Sequence, residues 1–131
     1  MSDSKMPTFG VIAWVDLTVP NAEETKNFYE DVIGWKAQPV SMGDYNDFNM
    51  TSPETGDPVT GVCHAKGINK GLPSNWLVYI TVANLNESLA KVEANGGKMI
   101  KPVTSMGKYG SYAVIEDPAG AVCALYEQKN N

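Results

Sequence analysis

Residues 9–50 and 72–114 can be laid over each other, and this internal repeat constrains the fold more than any other feature of the chain. At an offset of 63, Val19 meets Val82, Asn21 meets Asn84, Gly34 meets Gly97, Pro39 meets Pro102 and Val40 meets Val103. At 64, Ser41-Met42-Gly43 meets Ser105-Met106-Gly107, and Tyr45, Phe48 and Gly56 meet Tyr109, Tyr112 and Gly120. Turn glycines, prolines and aromatics share one order over about forty residues, so the chain reads as two copies of one unit of roughly 64 residues. A unit of that size buries little surface alone, so the two copies are expected to share one domain, residues 8–128, with pseudo-repeats 9–66 and 72–127.

Local signals give each copy the same element order. Residues 9–18 are apolar, β-branched and aromatic, as a strand requires. Asn21 followed by Glu24 reads as a helix start, and Phe28, Tyr29, Val32 and Ile33 then form one apolar helical face that Gly34 stops. Strands follow at 35–41, 45–51 and 58–66. In the second copy, 76–83 is a strand, Asn84 or Asn86 caps a helix carrying Leu85, Leu89 and Val92, and Asn95-Gly96-Gly97 ends it. Strands at 98–104, 109–116 and 121–127 complete the copy, and residues 1–7 and 128–131 read as frayed ends. The expected fold is α+β: two tandem βαβββ modules forming an eight-stranded, cup-shaped mixed sheet.

Composition removes several functions. The 131 residues hold ten lysines, no arginine, one histidine (His64) and two cysteines (Cys63 and Cys123), with a net charge of -5. No arginine means no bidentate fork for phosphate or carboxylate. An acidic chain without a basic run lacks the clustered charge that nucleic acid demands, so no nucleic-acid partner is expected. One histidine excludes sites built on two or three histidines. There is no run of eighteen apolar residues and no signal-peptide core after Met1-Ser2-Asp3-Ser4-Lys5, so no membrane partner and a cytoplasmic location are expected.

The repeat resembles the vicinal oxygen chelate superfamily, the glyoxalase, bleomycin-resistance and extradiol dioxygenase group. The residues that carry the resemblance are Asp16-Leu17 ending the first strand, then Asn21, Phe28-Tyr29 and Gly34-Trp35, and later Val82, Asn84, Gly96-Gly97 and Asp117-Pro118-Ala119-Gly120. They span residues 9 to 127, and small single-module glyoxalase-like proteins are the most similar variety. The resemblance implies a cup around a pocket and a homodimer. It also implies four metal-ligand positions, which fall at Trp14, Thr60, Leu77 and Ala124. Indole, isobutyl and methyl groups offer no lone pair and a threonine hydroxyl is a weak ligand, so no metal and no cofactor are expected.

Strand alternation then extends the expected pocket wall from those positions to Ile12, Asp16, Val62, His64, Tyr79, Thr81, Val122 and Tyr126, with Cys63 and Cys123 pointing away. Trp76 is expected to face away from the pocket, toward the helix layer or a partner chain. The wall is aromatic and apolar, suited to a small aromatic or cationic ligand. Three functions remain open: a metal-free binding protein of the glyoxalase/bleomycin-resistance family, a metal-independent lyase- or isomerase-type enzyme using Asp16, His64 or a tyrosine as acid or base, and a dimeric accessory module with a vestigial pocket.

Overall fold

The computed structural model describes residues 8–129. Eight strands of a mixed sheet and two α-helices make the chain α+β, in the order βαβββ twice. The first copy comprises β1 (Ile12–Val19), α1 (Ala22–Ile33), β2 (Lys36–Ser41), β3 (Asn46–Thr51) and β4 (Pro58–His64). The second comprises β5 (Trp76–Thr81), α2 (Leu85–Ala94), β6 (Lys98–Ser105), β7 (Gly110–Glu116) and β8 (Val122–Gln128). The described residues divide into two compact units, one from Trp14 to Leu77, the other joining residues 8–13 to residues 78–129.

Each unit repeats one strand order, β2-β3-β4-β1 in the Trp14–Leu77 unit and β6-β7-β8-β5 in the other. In each, a hairpin-linked antiparallel trio ends in a parallel pair, β1 with β4 and β5 with β8. Parallel neighbours need a long crossover, and α1 or α2 begins it. In the second unit, Gly10 and Val11 also run beside Thr81, which bonds to both through its main chain.

Each helix covers one face of its own strands. Ala22 of α1 clusters with Leu17, Val19, Phe48, Met50 and Val62 of the strands, and Tyr29, Trp35 and Ala37 pack against them. Leu85 of α2 clusters with Ala113, Ile115 and Leu125 of the strands, joined by Ile80, Val82, Leu89, Val92 and Cys123. The other face of each unit's strands is turned away from its helix.

The helix ends follow the sequence signals with one exception. Gly34 adopts φ +90° after α1 and its N–H bonds to Glu30 O, the left-handed stop that glycine permits. The Asn84 side chain accepts from the Glu87 N–H at 3.0 Å, a true N-cap. Asn21 precedes α1 but makes no cap; its amide donates instead to the Glu24 carboxylate at 2.9 Å. Gln128 belongs to β8 and is not a frayed end, whereas residues 1–7 and 130–131 lie outside the described residues.

The two asparagines should therefore respond differently to substitution. Asn84→Ala should cost about 1 kcal/mol of stability by urea denaturation. Asn21→Ala removes only an exposed side-chain pair and should cost clearly less. Equal losses would contradict the capping assignment.

Candidate functional site

The site faces are fixed by the two parallel pairs. Asp16 pairs with Gly61 in the first unit, and Tyr79 with Ala124 in the second. Paired residues turn their side chains to the same face. Asp16, Gly61 and Cys63 therefore stand opposite α1, while Leu17, Val19 and Val62 point under it.

That register corrects the expectation for β4. Thr60, Val62 and His64 were expected beside Trp14 and Asp16, but the pleat turns them to the α1 side. Val62 is wholly buried in the α1 core. The Thr60 hydroxyl donates to the main-chain carbonyl of Val15. The His64 ring lies edge-on to Tyr45, 5.2 Å between centroids, and the His64 N–H donates to the buried Asp47 carboxylate at 2.8 Å. His64 Nδ1 is buried without a hydrogen-bond partner among the described residues. Cys63, expected to point away, stands instead on the open face; Cys123 does pack under α2. Burial pushes the Cys123 thiol above its ordinary range, and Asp117 adds to the effect.

The cause is a shift of one residue within the repeat. The parallel pairs equate Asp16 with Tyr79 and Gly61 with Ala124, an offset of 63, where the sequence alignment had drifted to 64. On β3 and β7 the offset is 65, because Asn49 opposes Gly61 and Val114 opposes Ala124. Phe48 thus packs under α1, whereas Tyr112, its match at offset 64, faces the other way beside Tyr126. A slip of one residue exchanges the two faces of a strand.

On the open face of the first unit, Trp14 Nε1 donates to Asp16 Oδ1 at 2.6 Å. Gly61 makes room for that carboxylate: a Cβ at residue 61 would lie 2.6 Å from Asp16 Oδ1. The indole, the carboxylate and the missing side chain form one fitted group.

The open face of the second unit is richer. Two rows cross it: Tyr79, Ala124, Val114 and Lys101, then Thr81, Tyr126, Tyr112 and Thr104. Ala124 and Val114 are fully buried, and Tyr79 and Tyr112 only 9% exposed. The two rings lie 5.5 Å apart at 55°. Lys101 is 6% exposed; its ammonium donates to the Tyr112 hydroxyl and sits 4.6 Å from that ring's centroid. The Tyr126 hydroxyl donates to the Tyr109 carbonyl, and burial pushes its phenol above the ordinary range. Alternation along β5 puts Leu77 on the Tyr79 face, and Val122 joins it through its pairing with Glu116. Ile12 is 58% exposed. Lys101 and Tyr112 were not anticipated. A bulge between Lys101 and Thr104 hides the first from an alternation count.

The Glyoxalase/Bleomycin resistance protein/Dioxygenase superfamily model matches residues 11–125. The chain belongs to that superfamily. CFP32 of Mycobacterium tuberculosis, which carries a provisional glyoxylase name, is 27% identical over 90% of this chain and 46% of its own length. The anthracycline biosynthesis protein DnrV of Streptomyces peucetius is 28% identical over 91% of this chain and 47% of its own. The chain thus spans about half the length of these curated relatives. Among solved structures, methylmalonyl-CoA epimerase of Mycobacterium tuberculosis shares the fold, with a TM-score of 0.55 and 15% identity over 95% of this chain and 93% of that one.

Membership raises the question of which open-face side chains could donate to a metal. In place of Thr60, the register puts Gly61 at the ligand position of β4, and glycine has no donor. Asp16 is the one carboxylate of its row, with one oxygen already bonded to Trp14. The second unit offers Ala124, which has no donor, and the Tyr112 hydroxyl already taken by the Lys101 ammonium. Among the described residues no three of His, Cys, Asp and Glu come together.

The fitted group makes a sharp expectation. Gly61→Ala should destabilise the protein by about 1–3 kcal/mol through overpacking against Asp16. In an Asp16→Ala background the same change should cost much less, a coupling measurable by a urea double-mutant cycle. Additive losses would show that residue 61 and Asp16 do not share that space.

Proposed function

We propose that this superfamily member is a metal-free small-molecule-binding protein, and that its ligand is planar and aromatic. The observation that carries the reading is the face made by Tyr79, Tyr112, Tyr126 and Thr81 over the small Ala124 floor. Aromatic rings around a small side chain offer a flat ligand offset or edge-on contacts, and hydroxyls give it orientation. The two tilted rings of Tyr79 and Tyr112 cover the floor, so the ligand enters by parting them.

The net charge of -5 does not make the ligand a cation. Local charge outweighs distant charge once salt screens beyond about 8 Å. The Lys101 ammonium already occupies the hydroxyl and the ring face of Tyr112. An uncharged planar molecule does not compete with it there. DnrV is named for anthracycline biosynthesis, and anthracyclines are planar aromatics; that likeness supports the ligand class.

A second reading rests on the Lys101–Tyr112 contact. An amine donating to a phenol is an arrangement that moves protons without a metal. Under this reading the chain is a metal-independent enzyme acting on the same bound molecule.

The test is a thermal-shift screen of planar aromatics, anthraquinones included, followed by titration of tryptophan fluorescence. A true ligand at one hundred times its Kd should stabilise the fold by about 2.7 kcal/mol. Tyr79→Ala should abolish that shift while the circular dichroism spectrum stays folded. Turnover of the bound compound that Tyr112→Phe removes would favour the enzyme. No shift with any planar compound would sink the binding reading and leave an accessory module with a filled pocket.

A further inference from the structure

Among the described residues, Lys101 is the one buried lysine. No other side chain in the two cross-strand rows of its face is charged. The register of β6 shifts on both sides of it, between Met99 and Lys101 and again between Lys101 and Thr104. Bulges re-aim side chains, and they gather beside active sites. Pro102, with no N–H for the ladder, stands inside the second shift. The strand thus bends around this residue and delivers its amine to the Tyr112 hydroxyl. An inward lysine between bulges also blunts an end strand such as β6 against pairing. That task needs a charge alone and asks for no phenol at the amine.

We propose that Lys101 is a nucleophile that forms an imine with the carbonyl group of a planar aromatic aldehyde or ketone, and that the Tyr112 hydroxyl is its acid–base partner. This assignment rests on the enzyme reading of the tyrosine face, and it names the reacting groups and the substrate class. Lysines kept from water are the ones that condense with carbonyl substrates. The rings of Tyr79 and Tyr112 flank the amine's row and supply the contacts a flat ring needs. Lys101 touches both the ring and the hydroxyl of Tyr112, so a carbonyl that reaches the amine reaches the phenol as well.

The step needs no further reagent. The ammonium releases a proton to solvent, and the neutral amine attacks the carbonyl carbon through its lone pair. A nitrogen–carbon bond forms and the carbonyl π-bond breaks. The Tyr112 hydroxyl gives its proton to the oxygen and recovers one from the nitrogen. The carbon–oxygen bond of the resulting carbinolamine then breaks, the second hydrogen of the nitrogen goes with the oxygen, and water leaves. A carbon–nitrogen double bond remains, and both hydrogens of the neutral amine are in the water. A face that keeps water out also protects the imine from hydrolysis.

Reductive trapping tests it. The full chain is incubated with 2-naphthaldehyde and sodium cyanoborohydride at neutral pH, and the labelled lysines are mapped by peptide mass spectrometry. Cyanoborohydride turns an imine into a stable secondary amine. Lys101 should take the naphthylmethyl group faster than the exposed Lys36 and Lys91. Tyr112→Phe should slow labelling of Lys101 by about a hundredfold and leave Lys36 and Lys91 unchanged. Lys101→Met should lose the fast addition while its circular dichroism spectrum stays folded. Should that variant unfold, the wild-type map and Tyr112→Phe decide alone. Label confined to the exposed lysines overturns the proposal and leaves Lys101 as an inward charge guarding the edge. Labelling of Lys101 that Tyr112→Phe does not slow overturns it too. A thermal shift with 2-naphthaldehyde but no label on Lys101 sinks the imine and spares the binding reading, whereas neither shift nor label sinks both.

Discussion

The parallel pairing of the first and last strand of each βαβββ copy decides what every other strand presents. Antiparallel hairpins are set locally by their turns, but β1 meets β4 and β5 meets β8 only after a helix and two further strands have intervened. Once Asp16 is beside Gly61, Val62 must pack under α1 and Cys63 must stand opposite it. Once Tyr79 is beside Ala124, the hairpin of β7 and β8 carries Tyr112 and Tyr126 to the same face. Hydrophobic burial against the helices locks this register, since a slip of one residue would move Val62 or Leu125 out of the core.

The elements were legible because each has a local signal. Gly34 ends α1 in a left-handed conformation, Asn84 caps α2, and both helices and all eight strands lie within a few residues of their expected places. The faces were only partly legible. Trp14 and Asp16 could be paired on one strand, and so could Tyr79 with Thr81, because alternation is a short-range rule. The face of β4 could not be carried across from β8 by alignment. The repeat changes length between α1 and β3 and again before β4, with offsets of 63, 65 and 63, and neither change leaves a mark in composition. Lys101 was hidden for a related reason, since the bulge beside it breaks the period that a sequence count assumes.

On the open face of the first unit, Trp14, Asp16 and Gly61 form a fitted set. A chelating strand pair needs side chains with lone pairs converging on one point. Here Gly61 has no side chain, and the Asp16 carboxylate fills the space above it, held by the Trp14 indole. The three choices support one another: a larger residue at 61 would displace Asp16, and a displaced Asp16 would lose its indole donor. The negative charge is satisfied by hydrogen bonding, the usual condition for keeping a carboxylate half-buried.

The second unit solves a similar problem with the opposite charge. Burying a lysine costs several kcal/mol unless its ammonium is compensated. Lys101 sets its ammonium against both the hydroxyl and the ring of Tyr112, so one side chain supplies an oxygen acceptor and a π-face. Tyr79 packs beside Tyr112, and all three side chains are buried. The Lys101 amine and the Tyr112 and Tyr126 hydroxyls are already engaged. Under the proposed binding reading, a visiting molecule would be recognised chiefly by ring shape, because a polar group competing for those atoms must displace a bond that already exists. In that proposal the buried amine, more than the overall acidity of the chain, favours a flat and uncharged ligand.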